Sequence, residues 1–259
     1  MRYTERQIEL NRLRRERQRK KLKTFLTLLV CVALSAGIVG TIFFAPFFNV
    51  AEIYAVGNSR LSEDRIITAS EIQVGENIFR TSTQRIISNV TSEPLVHEAN
   101  VRRIFPNRLR IWVREREPQA NVAVGDLFAV IDERGFILME LQEQPYNVPV
   151  IHGLNVDRLS ARPGTRISAH NSANMEVAIT LLNEIIEIGM IDSVISIDVT
   201  RLTRIELNYE MRVTVIIGEA DELEYKIRLL QHIMTTQIAP HEHGIFDMSI
   251  DPPYFNRTN

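Results

Sequence analysis

The chain has 259 residues, 45% of them hydrophobic and 24% charged, which is enough for one or two globular domains with buried cores. Its net charge of −2 hides a strong asymmetry, because residues 1–23 contain ten basic and three acidic side chains and so carry +7. The single cysteine, Cys31, lies in an apolar run just after them, which excludes disulfide bonds, a cysteine nucleophile and a thiolate metal site from the rest of the chain.

The apolar run covers residues 24–44, 21 positions without a charge. About 20 apolar residues span a bilayer core, and a cleavable signal peptide has only about 7–15. A buried core helix, the alternative, would show a polar stripe that this run lacks. The sequence therefore predicts a transmembrane helix over residues 24–45, and the positive-inside rule places residues 1–23 in the cytoplasm and the bulk of the chain outside.

The basic tail, residues 1–23, is predicted to set this orientation. Near a membrane surface each cation contributes about 1 kcal/mol of attraction to anionic lipid. A nucleic-acid-binding arm is the alternative, but a charge run alone does not indicate one. We therefore expect membrane lipid, and no nucleic acid, as the partner of this segment.

The first external unit, residues 46–116, shows the order β-α-α-β-β, which predicts two helices on one face of a short sheet. Ser62 is a favourable N-cap for the first helix. Thr81 and Gln84 have the spacing of a capping box for the second. The predicted elements are a strand over 49–57, a helix from Ser62 to about Ser70, a helix that begins near Thr81, and strands over 96–104 and 108–115.

The last of these strands alternates strictly between apolar and polar residues, as a strand with one buried face does. Its outer face carries a tryptophan among arginines: Arg108, Arg110, Trp112 and Arg114. Trp and Arg are enriched at interaction hot spots, so this face is a candidate contact surface. The alternative is a solvated face on which arginine stems cover the indole ring.

Strands follow one another in residues 117–250, which predicts a mixed, largely antiparallel β domain. Two helices interrupt them. The first, 172–189, repeats apolar residues at i, i+4, i+8 and i+11, and the second covers about 221–237. The predicted fold class is therefore α+β, with one N-terminal transmembrane helix, the β-α-α-β-β unit and this β domain.

The chain closes with a predicted strand over 244–250. Pro252 and Pro253 follow it and should end any pairing, because proline cannot donate to a ladder. Residues 251–259 are expected to form a frayed C-terminal tail. A terminal strand is expected at a sheet edge, where unpaired N–H and C=O groups can accept a visiting strand.

The external part shows no catalytic pattern, since it has no S-x-x-K, G-x-S-x-G, H-E-x-x-H or glycine-rich phosphate loop. The best metal candidate is His241-Glu242-His243, in a loop flanked by proline and glycine. A metal site usually needs three or four ligands from more than one segment. We therefore expect no catalytic residues, no metal site, no cofactor and no enzyme activity.

A distinctive set of apolar, charged and proline residues runs from 96 to 120: Val96, Ala99, Val101, Arg103, Pro106, Leu109, Ile111, Val113, Glu115, Arg116, Pro118 and Ala120. The earlier stretches IYAVGNSRLSEDRI and GENIF add an I-x-V-x-G and a G-x-N-x-F pattern. Further weak marks follow at Asp132 with Gly135, Pro149 with Gly153, Gly218, Lys226 and Asp247-Met248-Ser249. In this order the marks resemble the signature of the bacterial cell-division family FtsQ/DivIB, over nearly the whole chain.

This resemblance implies that residues 46–116 are a POTRA domain, here called the POTRA unit, and that residues 117–250 are the family's β domain. It implies a non-enzymatic scaffold that bridges early and late division proteins at the septum. The expected partners are FtsL and FtsB/DivIC-type proteins outside the membrane, with other divisome membrane proteins. The expected location is the cell membrane at the septum, with single-pass type II topology.

The resemblance also implies where the partner binds, namely on the last strand of the β domain by strand addition. The matching positions are Ile245, Phe246, Asp247, Met248, Ser249 and Ile250. By alternation we expect Phe246, Met248 and Ile250 to face the core and the other three to face outward. For Tyr254 and Phe255 the alternatives are an added aromatic contact with the partner and a place in the frayed tail, and we favour the tail.

Two other classes of protein remain as alternatives. One is a POTRA-containing adaptor of a protein translocation or envelope assembly machine, although the chain lacks the many alternating segments of a barrel. The other is a membrane-anchored cell-wall enzyme, which the missing catalytic patterns disfavour. Depletion would separate the three, because filaments indicate division, secretion defects indicate translocation and lysis indicates a wall hydrolase.

Overall fold

One continuous helix, α1 (Arg2–Phe44), opens the chain. The computed structural model describes residues 2–143, 148–158 and 161–258, apart from the side chains of 2–19 and 42–44, so most side chains of the basic tail lie outside the described residues. Within α1, Lys20–Thr41 has a mean hydropathy of 2.1, and none of it is buried against the rest of the protein. By length and composition this stretch can cross a membrane.

The POTRA unit opens with a short 3-10 turn at Pro46–Phe48 and then has the predicted order β-α-α-β-β. Its elements are β1 (Glu52–Val56), α2 (Glu63–Ser70), α3 (Thr83–Thr91), β2 (Val96–Ile104) and β3 (Arg108–Glu115). The sheet has the order β1-β3-β2, in which β1 runs parallel and β2 antiparallel to β3. Both helices pack on one face, where Ile66 and Val90 share a buried cluster with Ile111 and Val113.

Side-chain caps determine where the two helices begin. Ser62 accepts a hydrogen bond from the backbone N–H three residues further on, as predicted. The second helix is capped by Ser82, which accepts from the N–H of Arg85, and not by Thr81. The Thr81 hydroxyl instead donates to the carbonyl of Asn77 at 3.0 Å and so serves the preceding loop.

The β domain contributes strands to one nine-stranded sheet in the order β12-β11-β10-β9-β8-β7-β4-β5-β6. Three neighbouring pairs of strands are parallel (β4 with β7, β7 with β8, β10 with β11) and the others are antiparallel. The sheet is therefore mixed and largely antiparallel. With the helices of the chain, this confirms the predicted α+β class. The elements are β4 (Ala120–Val124), β5 (Leu127–Ile131), β6 (Ile137–Leu141), β7 (Val150–His152), α4 (Ser172–Glu187), β8 (Val194–Asp198), β9 (Ile205–Tyr209), β10 (Val213–Gly218), α5 (Leu223–Thr236), β11 (Gly244–Asp247) and β12 (Tyr254–Arg257).

Helices α4 and α5 share one large buried cluster with this sheet. In α4, Leu181 and Ile185 are fully buried, as their helical spacing predicts. The predicted apolar side of α5 is likewise buried in full, since Leu223, Ile227, Leu230 and Met234 are each less than a tenth exposed. The fold therefore has one core for the sheet and its helices, and separate smaller clusters in the POTRA unit.

Arg116, the residue after β3, joins the POTRA unit to the large sheet. Its guanidinium lies 2.5 Å from the carboxylate of Asp132 and 4.2 Å from the ring centre of Phe136. Asp132 is fully buried and also accepts the backbone N–H groups of Arg134 and Phe136, at 2.9 and 2.8 Å. This network ties the turn between β5 and β6 to the end of β3. We call the end of the nine-stranded sheet at β5 and β6 the anchored end.

Candidate functional site

The expected partner-binding segment, residues 245–250, is not the edge of the sheet. Strand β11 ends at Asp247 and is paired on both sides, in parallel with β10 and antiparallel with β12. The expectation of an open edge at Ile245–Ile250 is therefore wrong. The physical reason is that Pro252 and Pro253 lie in the connection between β11 and β12, where the chain reverses and pairs again.

The side chains of this segment only partly follow the expected alternation. Phe246 and Met248 are 2% and 7% exposed, as expected for core residues, but Ile250 is 50% exposed. The Asp247 carboxylate accepts from the backbone N–H and the hydroxyl of Ser249, at 2.9 and 2.6 Å. The Met248 N–H donates to the β10 carbonyl of Ile216 at 2.8 Å. The polar groups of Asp247-Met248-Ser249 are thus engaged in hydrogen bonds with one another and with β10.

Strand β12, which sequence reasoning interpreted as a tail, is held by three features. The backbone of Gly244 approaches so closely that a Cβ there would lie 2.2 Å from the carbonyl oxygen of Asn256. Arg257 forms an ion pair with Glu242 at 2.6 Å, and this hydrogen bond lowers the pKa of the Glu242 carboxyl. The Thr258 N–H donates to the carbonyl of His243 at 2.9 Å. In the sequence, Gly244 and the opposite charges of Glu242 and Arg257 were the signals that could have indicated this strand.

Strand β12 is the edge of the sheet at this end. Residues in an antiparallel ladder alternate between pairs that exchange hydrogen bonds and pairs that do not. Because Thr258 bonds to β11, the alternation makes Tyr254 and Asn256 face β11 and directs the N–H and C=O groups of Phe255 and Arg257 outward. Within the described residues no strand pairs with these outward groups. We call β12 with these groups the open edge.

The open edge also has an apolar component. Tyr254 is 61% exposed and Ile245, on the neighbouring strand, is 39% exposed. Phe255 packs partly against the core and so holds the strand to the domain. An open ladder beside exposed apolar side chains is the arrangement that strand addition uses, with backbone bonds for affinity and side chains for specificity.

The other end of the sheet, at β6, is covered by a loop at the first residue of that strand. The Ile137 N–H donates to the carbonyl of Thr165 at 2.9 Å, and the Gly164 N–H donates to the carbonyl of Ile137 at 2.8 Å. The adjacent turn carries Asp132 of the anchored end. Covering an edge in this way prevents unwanted pairing, so the two ends of the sheet offer different surfaces.

The arginine-tryptophan face lies on the POTRA sheet, on strand β3. Trp112 is 40% exposed and lines a groove of about 410 Å³ with Arg110, Arg102, Asn100 and Val56. The other two arginines of this face are paired with carboxylates of neighbouring strands, Arg108 with Glu52 at 3.9 Å and Arg114 with Glu98 at 3.4 Å. The structure thus brings the four predicted residues onto one face, and two of its three arginines are paired with carboxylates on neighbouring strands.

Glu115, beside Arg116, satisfies the loop after β1. Its carboxylate accepts the backbone N–H groups of Ser59, Arg60 and Leu61 at 2.9 to 3.1 Å. Burial raises the pKa of Glu115, but these hydrogen bonds outweigh it, so the pKa lies below its ordinary value. Glu115 and Arg116, two of the charged residues of the signature, therefore both have structural roles.

No group of three or more His, Cys, Asp or Glu side chains is placed to hold a metal ion in the part of the chain that the structure describes. Glu242, the centre of the candidate metal triplet, is engaged with Arg257 and with the backbone N–H of Ala239. The sequence His241-Glu242-His243 is thus part of the support for β12.

Comparison with known proteins bears on the same regions. Residues 48–116 match the family POTRA domain, FtsQ-type. The chain is 26% identical over 207 residues to the cell division protein DivIB of Clostridium acetobutylicum, which covers 79% of this chain and 80% of the relative. It is 25% identical over 241 residues to DivIB of Clostridium botulinum, covering 91% of each. It is 31% identical over 161 residues to the cell division protein FtsQ of Syntrophotalea carbinolica, covering 62% and 54%.

The domain match coincides with the β-α-α-β-β unit, and the relatives extend through both the POTRA unit and the nine-stranded sheet. The resemblance seen in the sequence is therefore confirmed. The chain therefore carries a POTRA domain of the FtsQ type and is similar to DivIB and FtsQ cell division proteins along most of its length.

Proposed function

We propose that the protein is a membrane-anchored, non-enzymatic scaffold of the divisome that acts in septum formation. In this proposal residues 24–45 span the cell membrane with single-pass type II topology, the basic tail lies in the cytoplasm against anionic lipid, and the remainder lies outside. The protein is concentrated at the division septum. The apolar span and the cell division relatives support this location.

The partners in this proposal are FtsL and FtsB/DivIC-type division proteins, bound outside the membrane. The observation that carries it is the open edge, whose outward backbone groups at Phe255 and Arg257 can pair with a visiting strand. Residues Ile245 to Ile250, the segment expected from the family resemblance, support this edge from the inside. We therefore place the partner one strand further out than the sequence suggested.

The test is binding of residues 47–259 to the purified external segments of FtsL and DivIC. This part should fold without the span, because none of the α1 side chains that the structure describes, those of 20–41, belongs to any of the three buried clusters. Arg257→Pro removes an outward N–H and leaves the inward bonds of Tyr254 and Asn256 in place. Arg257→Ala is the matched control, since it also loses the ion pair with Glu242 but keeps the N–H.

We expect Arg257→Ala to bind within about threefold of the wild type and Arg257→Pro to bind at least about tenfold more weakly, because a lost ladder bond and a blocked approach together exceed about 1.4 kcal/mol. Circular dichroism must show that both variants are folded. Equal binding by the two variants would move the interface away from β12. No binding by the wild type would contradict the proposed partners.

A second contact is proposed for the arginine-tryptophan face, toward other divisome membrane proteins. Its support is the groove beside Trp112, together with Arg102 and Arg110, which have no ion pair among the described residues.

Cellular depletion tests the division role as a whole. Filamentous cells support it, whereas secretion defects without filaments would favour the translocation alternative.

A further inference from the structure

Four phenylalanine rings from three separate segments meet at one end of the POTRA unit. The Phe47 and Phe48 ring centres lie 5.2 Å apart, those of Phe48 and Phe79 lie 5.2 Å apart, and those of Phe79 and Phe105 lie 5.4 Å apart. The two outer rings of this row are exposed, Phe47 by 66% and Phe105 by 57%. We call this row the aromatic end.

A fifth apolar side chain lies close by. Val74 is 69% exposed, and its turn is bonded to the segment that follows the span. The Gly75 N–H donates to the carbonyl of Val50, and the Val50 N–H donates to the carbonyl of Glu76, both at 2.8 Å. Two loops and the post-span segment therefore present apolar side chains on the same end.

The aromatic end is firmly supported from within. Val50, Ile78 and Leu109 are fully buried beneath it, and Phe48 and Phe79 pack partly against them. The Arg103 guanidinium donates to two carbonyls of the loop that contains Phe79, at 2.8 and 2.7 Å. The exposure of Phe47 and Phe105 is thus a property of an ordered surface, since the residues below them are fixed in a core.

The position of this surface along the chain indicates what covers it. Helix α1 ends at Phe44, and Phe47 follows three residues later. Three residues reach at most about 11 Å, so the aromatic end begins within that distance of the end of α1, beside a headgroup region that adds roughly 5–7 Å to each side of the hydrocarbon core.

We infer that the aromatic end of the POTRA unit inserts Phe47, Val74 and Phe105 into the interfacial layer of the same membrane that α1 crosses. The inference rests on the membrane span of the proposed function. Phe and other apolar side chains on the surface of a protein bind at a membrane interface in proportion to the apolar area that they bury there. The POTRA unit is then held in a fixed orientation on the lipid surface.

The test uses the full chain reconstituted into vesicles, with a single tryptophan as reporter. The chain has one tryptophan, so Trp112→Phe removes the background. Three variants are made on this tryptophan-free background, one at a time. They are Phe105→Trp at the aromatic end, Met211→Trp as a control that is 78% exposed, and Leu34→Trp inside the span. Each is compared in vesicles of phosphatidylcholine and phosphatidylglycerol with and without brominated acyl chains, and circular dichroism confirms the fold.

We expect brominated lipid to lower the emission of Phe105→Trp and Leu34→Trp about twofold or more, and to leave Met211→Trp nearly unchanged. Quenching at Leu34→Trp with Phe105→Trp no more quenched than Met211→Trp would overturn the inference while the span stands. That result would assign the aromatic end to a protein partner. No quenching at Leu34→Trp would overturn the span and this inference together.

Discussion

The two ends of the nine-stranded sheet differ in how their edges are finished. At the anchored end, the Ile137 N–H is taken by a loop carbonyl, and the turn beside it is bound to the POTRA unit by the Arg116–Asp132 ion pair. At the open edge, outward backbone groups of Phe255 and Arg257 meet no strand among the described residues. Arg116, a residue of the signature, therefore has a structural role, because it joins the POTRA unit to the large sheet. The proposed contact uses residues outside the signature.

The largest effect is expected at the anchored end, from Asp132→Ala. This change leaves Arg116 only 13% exposed and without its counter-charge. We expect the free energy of unfolding of residues 47–259 in urea to fall by about 3–5 kcal/mol. The control Glu98→Ala removes only the exposed pair with Arg114 and should cost less than about 1 kcal/mol. A loss no larger than this control would show that the pair does not anchor the sheet.

The next effect is expected from Glu115→Gln, beside the same anchor. The amide keeps the shape of the side chain but loses the charge that receives three backbone N–H groups. We expect a loss of about 1.5–3 kcal/mol in the free energy of unfolding at pH 7, since hydrogen bonds to a charged group are the stronger kind.

The same variant tests a pH dependence. Because the folded-state pKa of Glu115 lies below the ordinary 4.5, its stabilisation is fully present above the unfolded pKa and is lost as pH falls through the folded pKa. Urea denaturation at a series of pH values below 4.5 should therefore show a flatter pH dependence for Glu115→Gln than for the wild type. Parallel curves would contradict the role given to the carboxylate.

A smaller effect is expected at the open edge, from Gly244→Ala. The new Cβ would meet the Asn256 carbonyl at 2.2 Å, so β12 must shift, at a cost of about 1–3 kcal/mol in unfolding free energy. Binding of the FtsL and DivIC segments should weaken with it, because the docking strand is displaced. Tighter binding would mean that the partner pairs with β11 directly and that β12 competes with it.

The smallest effect is expected from Arg110→Glu on the arginine-tryptophan face. This arginine has no ion pair among the described residues, so the free energy of unfolding should change by no more than about 0.5 kcal/mol. Binding of FtsL and DivIC should be unchanged, while septal localisation of a fluorescent fusion should decrease. Unchanged localisation would leave the sheet's open edge as the sole proposed contact.

The sequence predicted those parts of the fold that depend on local periodicity. Side-chain spacing predicts the order of elements in the POTRA unit and the apolar face of α5. The length of the uncharged apolar run predicts the span. Strand β12 was missed because four residues after two prolines carry almost no periodic signal, and its pairing depends on distant Gly244 and Glu242. The exposure of Ile250 was missed for a related reason, since β11 ends before it and alternation no longer applies.

The shortness of β12 has a consequence for how a complex assembles. Four residues direct only two outward sets of backbone groups, so a visiting strand gains few ladder bonds from this edge alone. Such a contact between freely diffusing molecules would dissociate quickly. Two proteins tethered to one membrane meet at a far higher effective concentration, which makes a weak contact sufficient while both are present. A short edge on an anchored protein therefore favours an assembly that forms where its members gather and comes apart when they disperse.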